Sequence, residues 1–169
     1  RTKLETLLHP EWLFEYVRKG QPIISNWAAY AKNGSDPESV SELVAEQVRA
    51  PLTWDHIKRF RELWPRSLVL KGIMHPDDAK RAAAVGVDGI MVSNHGARQL
   101  DRAPSPIEVL PTIVAEVGDK MTVMLDSGVR RGADIITALC LGAKFVFVGR
   151  WTLYGVAAGA LPGAKKALS

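Results

Sequence analysis

The sequence predicts an α/β protein of the eight-stranded (β/α) barrel type, in which residues 51–169 form about four β/α units. From Thr53 onward, amphipathic helical segments alternate with short apolar segments of the kind found in buried parallel strands. Polar residues follow each apolar segment directly, which is where barrel enzymes place their ligand-binding groups. These segments lie within residues 67–72, 88–92, 121–125 and 145–148. An open, doubly wound sheet is the alternative fold.

Start and stop residues delimit the helices of this region. Thr53 is a predicted N-cap for a helix over 54–64, which Pro65 ends. Later helices are predicted after His75-Pro76, after Ser105-Pro106 and from Gly132, and Gly86 and Gly142 end the first and the last of them. The small, apolar tail predicts two short helices, over 151–160 and 164–169. Four strands make half of a barrel, with two exposed edges.

Residues 1–50 are the least regular part and are predicted to form a loop segment ahead of the barrel half at 51–169. Short helices are expected over 9–18 and 39–49, with a turn at 33–37. Aromatic and apolar side chains mix here with basic ones. This composition is compatible with a patch that contacts a membrane surface, and equally with a loop that packs on its own domain or on a partner subunit.

The composition excludes several classes of protein. Of the 169 residues 47% are hydrophobic and 24% charged, and the net charge of +4 is dispersed, which argues against nucleic-acid binding. The single cysteine, Cys140, excludes a disulfide framework and favours a reducing, cytoplasmic compartment. Neither a metal-binding spacing nor an apolar run of membrane-spanning length is present. We expect the chain to be a segment of a longer protein.

The segment 93–101, which follows the second predicted strand, carries the most specific chemistry. His95 can take up or release a proton near neutral pH. Arg98, three residues later, offers a planar fork that matches a carboxylate or a phosphate. Taken singly, such a histidine is more often a capping residue and such an arginine a surface charge. Together, at a strand end, they predict chemistry on a small acidic substrate.

The other strand ends predict a phosphate site. Lys71 ends the first strand, and two further clusters combine glycine with arginine, which bind phosphate through bare backbone N–H groups and charge. These clusters are Asp126-Ser127-Gly128-Val129-Arg130 and Gly149-Arg150. A glycine-rich dinucleotide motif is missing, which disfavours NAD. A different phosphate-binding barrel enzyme, such as an isomerase or aldolase, and a non-catalytic half-barrel module that self-associates remain as alternatives.

Residues 93–101, Ser-Asn-His-Gly-Ala-Arg-Gln-Leu-Asp, closely resemble the active-site signature of the FMN-dependent α-hydroxy acid dehydrogenases and oxidases. The resemblance implies oxidation of a small 2-hydroxy acid, mandelate- or lactate-like, to the 2-oxo acid. It implies that His95 is the base, that His95 and Arg98 contact the substrate, and that Arg98 binds the substrate carboxylate. It further implies FMN as cofactor, held by Lys71, Ser93, Asp126, Ser127, Gly128, Arg130, Gly149 and Arg150.

The same resemblance implies a homo-oligomer with peripheral contact to the inner face of a membrane through residues 1–50. It leaves the electron acceptor open between quinone, cytochrome and oxygen. Tyrosines, a second arginine and an aspartate that the family places on earlier strands are not found in this sequence. We therefore expect these 169 residues alone to bind FMN weakly and to turn over slowly or not at all.

Overall fold

The computed structural model describes residues 10–21, 23–32, 36–48 and 51–169. The chain divides into two compact units, Arg1–Thr53 and Trp54–Ser169, and each is described by itself. Among the described residues, no helix combines the length and apolar character needed to cross a bilayer.

The first unit contains three helices, α1 (Pro10–Lys19), α2 (Ser25–Ala28) and α3 (Pro37–Val48). Asp36 caps α3, because one carboxylate oxygen accepts hydrogen bonds from the backbone N–H groups of Glu38 and Ser39 at 3.0 Å. Helices α1 and α3 agree with the predicted ones to within a few residues. Most of the predicted turn at 33–37 lies outside the described residues.

The second unit alternates helices with the strands of one parallel sheet, as the sequence predicts. Its elements are α4 (Trp54–Leu63), β1 (Val69–Lys71), α5 (Pro76–Val85), β2 (Gly89–Val92), a 3-10 turn (His95–Ala97), α6 (Pro106–Val117), β3 (Thr122–Leu125), α7 (Gly132–Cys140), β4 (Phe145–Val146) and α8 (Arg150–Leu168). The strands pair in the order β1-β2-β3-β4, all parallel. Sequential parallel strands joined by helices are the arrangement of a (β/α) barrel, of which this sheet is a part.

One face of the sheet is covered by helices and forms the core. Ile90 of β2 is opposite Val123 of β3, and both are buried together with Leu110 and Ile113 of α6. Because side chains alternate along a strand, the next row points to the other face. In that row Lys71, Met91, Met124 and Phe145 are in register, and Phe145 is 61% exposed. The sheet therefore has one face packed by helices and one partly open face, on which Met124 is buried and Phe145 is exposed.

An ion pair organises the amino ends of the first two strands. Arg61 of α4 donates to the Asp88 carboxylate at 2.8 Å, and the same oxygen accepts the backbone N–H of Leu68 at 2.7 Å. The N–H of Leu68 and the Arg61 guanidinium lower the pKa of Asp88, against a smaller opposing effect of desolvation. Arg61 also donates to the carbonyl groups of Trp64 and Gly86. This cluster fixes the end of the sheet opposite the predicted site.

The structure corrects the predicted tail and the strand lengths. Within α8 the non-helical backbone angles of Gly159 and Ala160 make a kink that separates two helices, as predicted, but the second helix begins directly after the kink and not at 164. Strands β1 and β4 span three and two residues, shorter than the apolar segments that predicted them. Single backbone hydrogen bonds continue beyond the two strands, for example from the Gly72 N–H to the Met91 carbonyl at 3.1 Å and from the Phe147 N–H to the Leu125 carbonyl at 2.8 Å.

Candidate functional site

A cavity of about 450 Å³ opens beside the carboxyl ends of β2, β3 and β4, within the range typical of small-molecule sites. Its lining comes from the three segments that follow these strands: His95, Gly96, Arg98, Asp126, Ser127, Gly128, Val129, Arg130, Phe147, Val148, Gly149, Arg150, Trp151, Thr152, Leu153 and Tyr154. Segments that are far apart in the sequence thus meet at one edge of the sheet, because parallel strands end at the same edge.

The turn that carries His95 has an unusual backbone. His95, Gly96 and Ala97 have φ angles of 56°, 66° and 58°, so three successive residues are in the left-handed region. For residues other than glycine this costs about 1–2 kcal/mol each. Asn94 caps the turn, since its side-chain oxygen accepts the N–H of Ala97 at 3.2 Å and its amide donates to the Pro104 carbonyl at 3.2 Å. Strained backbone of this kind concentrates at functional sites.

The Gly96 peptide is held from two other segments. Its N–H donates to Ser127 Oγ at 2.9 Å, and its carbonyl accepts from Arg150 Nη2 at 2.9 Å. A Cβ at position 96 would overlap the Arg150 guanidinium. The histidine turn after β2 is therefore tied to the residues after β3 and β4, which makes the cavity edge one connected structure.

Asp126 is the anionic centre of the site. Its carboxylate forms an ion pair with Lys71, and Ser127 Oγ donates to it at 2.8 Å. Partial burial raises the pKa of Asp126, but hydrogen bonds from Lys71, Ser93 and Ser127 outweigh that effect and leave the pKa below its ordinary value. Ser93, only 3% exposed, also accepts the N–H of His95 at 3.2 Å. Asp126 thus remains ionised and positions both serine hydroxyls.

Hydrogen bonds to Asp134 order the backbone amides of the segment that joins β3 to α7. Asp134 accepts the backbone N–H groups of Arg130 and Arg131 at 2.9 and 3.0 Å, and these bonds lower its pKa. Before them, Ser127 and Gly128 have φ angles of 75° and 80°. In a turn of this kind the successive backbone N–H groups can form a concave site that suits an anion.

The donor set of the cavity fits a phosphorylated cofactor. Arg130 and Arg150 supply two guanidinium groups, and Gly128 and Gly149 lack side chains that would block approach to the backbone. A Cβ at either glycine would meet no atom within 4 Å, which means that open space lies beside both. Among the described residues, no group of histidine, cysteine and acidic side chains is suited to hold a metal ion.

Eight of the ten residues predicted for the site line this one cavity. Lys71 and Ser93 do not line it, and both reach it through Asp126. Sequence reasoning missed Asn94, although it lies inside the motif, and the aromatic residues Phe147, Trp151 and Tyr154. The signal for the aromatic residues was their position directly after the last strand, next to the predicted Gly149-Arg150 pair.

Fold and cavity together define a parallel β/α protein with an arginine-lined cavity and a histidine at the carboxyl ends of its strands. The profile of the FMN-dependent dehydrogenases matches residues 1–169. The chain belongs to this family.

Individual relatives agree with this assignment. The chain is 45% identical over 155 residues to (S)-mandelate dehydrogenase of Pseudomonas putida, covering 92% of this chain and 38% of that protein. It is 50% identical over 135 residues to 2-hydroxyacid oxidase 1 of Mus musculus, covering 79% of this chain and 36% of that one. A crystal structure of the monotopic membrane protein (S)-mandelate dehydrogenase superimposes with a TM-score of 0.89 at 44% identity, covering 98% of this chain and 43% of that one. The chain spans less than half the length of these relatives.

Proposed function

We propose that the protein containing this chain oxidises a small 2-hydroxy acid to the 2-oxo acid with FMN. The observation that carries the proposal is the meeting of His95 and Arg98 with Arg130 and Arg150 around one cavity. A proton acceptor and a carboxylate clamp then lie beside a phosphate site, which is the combination that this reaction needs.

His95 is proposed as the base. Oxidation of a 2-hydroxy acid removes two protons and two electrons, so that one hydrogen is lost from the hydroxyl group and one from the α-carbon. His95 accepts one of them as a proton, either from the hydroxyl oxygen or from the carbon. Arg98, three residues away on the same turn, binds the substrate carboxylate and so fixes which face of the α-carbon is presented.

Bound FMN would supply the two-electron acceptor. Its phosphate is assigned to Arg130 and Arg150 with the amides near Ser127, Gly128 and Gly149. Lys71 and Ser93 are assigned to the flavin ring and Asp126 to the ribityl hydroxyls. In the structure Lys71 is paired with Asp126, so the lysine is held on the open face of the sheet, where its charge would stabilise negative charge on a reduced ring.

The substrate is proposed to be mandelate or lactate, with mandelate favoured. The support is the similarity to (S)-mandelate dehydrogenase at both the sequence and the structural level. A putative L-lactate dehydrogenase of Mycobacterium tuberculosis, 39% identical over 168 residues, keeps lactate as the second candidate.

The test is flavin absorbance of the purified chain after addition of FMN, followed by anaerobic addition of mandelate and then of lactate. Bleaching by one acid would support the proposal and name the substrate. His95→Asn should retain FMN and lose bleaching, whereas Arg98→Lys should require about tenfold or more substrate, because the bidentate contact is lost. Arg81→Lys on the exposed surface of α5 is the matched control. Absence of FMN binding to the wild-type chain would refute the proposal for this chain.

A self-associating half-barrel without catalysis is the second candidate. It is favoured by the face of the sheet that helices do not cover, where Val69 of β1 and Phe145 of β4 are exposed on the two edge strands. Light scattering coupled to size exclusion would show dimers or larger species, and Phe145→Lys would dissociate them. Flavin reduction by an acid in the same preparation would exclude the non-catalytic version.

We also propose that residues 1–50 form a segment separate from the barrel half and contact the inner, cytoplasmic face of a membrane. In α1, Phe14 and Val17 are 67% and 76% exposed, and Arg18 and Lys19 follow them. The similar (S)-mandelate dehydrogenase is described as a monotopic membrane protein. Flotation with anionic vesicles should bring the chain to the top, Phe14→Glu should reduce this, and binding equal to wild type would contradict the assignment. The resemblance to the family further supports the proposals that the whole protein is a homo-oligomer and that its electron acceptor is a quinone, a cytochrome or oxygen.

A further inference from the structure

The Ser127 hydroxyl makes two hydrogen bonds that connect different strands. Its oxygen accepts the Gly96 N–H at 2.9 Å and its proton is donated to Asp126 Oδ1 at 2.8 Å. A hydroxyl group has only one proton to donate. The Ser127 hydroxyl therefore has no proton left for a phosphate or a flavin, and only the backbone N–H of Ser127 could take that role.

The backbone at Ser127 favours glycine. Its φ of 75° lies in the left-handed region, where a Cβ adds strain. Gly128, with φ 80°, continues the same conformation. A serine at this position retains strain that glycine would remove. What serine adds is its hydroxyl group, which contacts Gly96 and Asp126.

We propose that Ser127 is a positioning residue for His95. The proposal rests on the proposed role of His95 as base. Gly96 follows His95 directly, so a fixed Gly96 N–H fixes the peptide plane on the carboxyl side of His95 and thereby the direction of its side chain. Ser93 holds the N–H of His95 itself, and both hydroxyls are positioned by the Asp126 carboxylate. The histidine turn is in this way aligned from strand β3 and not only by its own residues.

Two substitutions separate the hydroxyl from the backbone strain. Ser127→Ala keeps the Cβ and its strain but lacks the hydroxyl, whereas Ser127→Gly lacks both. Thr112→Ala, which removes a hydroxyl group from an exposed position of α6, is the matched control. If Ser127 contributed only to stability, the order of the turn that carries His95 and the melting temperature would change together in both variants.

The first readout is hydrogen exchange of the Gly96 amide in the full 169-residue chain without cofactor, followed by NMR. We expect at least about fivefold faster exchange in both Ser127 variants, the effect of losing one hydrogen bond, and none in Thr112→Ala. Ser127→Gly should melt within about 3 °C of wild type, because relief of strain offsets the lost bond. Unchanged Gly96 exchange in both variants would overturn the proposal.

The second readout separates positioning from cofactor binding. In both variants we expect the rate of flavin reduction by the acid to fall about tenfold, with the Kd for FMN changed less than about twofold. Ser127→Asn, which tolerates a left-handed backbone and offers both an acceptor and a donor, should recover part of the rate. A raised Kd with an unchanged reduction rate would instead make Ser127 a cofactor ligand. If the 169-residue chain binds FMN but is not reduced by acid, the result agrees with its expected slow turnover, and Gly96 exchange still decides the Ser127 contact.

Discussion

Replacement of Gly96 by alanine should weaken cofactor binding more than it weakens the fold. Gly96 has a φ of 66°, and a Cβ there would overlap the guanidinium of Arg150. The backbone strain of an alanine in this region is about 1–2 kcal/mol. The exposed side chain of Arg150 can rotate away from the new Cβ, so the overlap itself adds no further loss to the free energy of unfolding. For a protein of this size the melting temperature should fall by about 2–8 °C.

Movement of Arg150 has a separate consequence for the phosphate. Its Nη2 donates to the Gly96 carbonyl at 2.9 Å, and this bond holds the guanidinium on the cavity wall. A hydrogen bond to a charged group contributes about 1.5–3 kcal/mol, and partial exposure places this one at the lower end. The Kd for FMN should therefore increase about tenfold.

The assay is a flavin fluorescence titration together with a thermal melt, and Gly86→Ala is the control. Gly86 has a φ of 81° at the end of α5, and a Cβ added there would meet no atom within 4 Å. It should show a similar loss of melting temperature and an unchanged Kd for FMN. If Gly96→Ala bound FMN as tightly as Gly86→Ala does, Arg150 would not be held by this contact in solution and the reasoning would be wrong.

Two other predictions concern stability. Asp126 has a lowered pKa in the fold, so its ionised form stabilises the protein above about pH 4, and this contribution disappears as the pH falls through the lowered value. The difference in melting temperature between wild type and Asp126→Asn should accordingly be constant from about pH 7 to about pH 5 and close at lower pH, and a difference that grew on acidification would contradict the assigned direction. Leu110→Ala, at a fully buried position in α6, should cost about 2–5 kcal/mol in urea unfolding, whereas a loss below about 1 kcal/mol would mean that the core is not packed as described.

The sequence was sufficient for the order of elements in residues 54–169 because its signals there are local. The left-handed Gly86 ends α5, and short apolar segments mark each strand. Eight of the ten candidate residues lie around one cavity, since the ends of parallel strands meet.

Sequence patterns did not predict the interactions between segments that are distant in the sequence. The pairing of Lys71 with Asp126 joins residues 55 positions apart, and the bond between Ser127 and Gly96 joins residues 31 positions apart. Neither pair has a characteristic spacing. The left-handed conformation of His95 and Ala97 was also not predictable, because neither residue type requires it and the surrounding contacts impose it.

The Arg61–Asp88 cluster lies at the amino ends of β1 and β2, whereas the cavity lies beside the carboxyl ends of the strands. Substitutions in the cavity lining therefore leave these ionic contacts untouched. Substitutions of the cavity-lining aromatic residues Phe147, Trp151 and Tyr154 should accordingly cause small losses of stability. An engineering effort could fix the sequence near Asp88 and randomise the opposite end of the sheet.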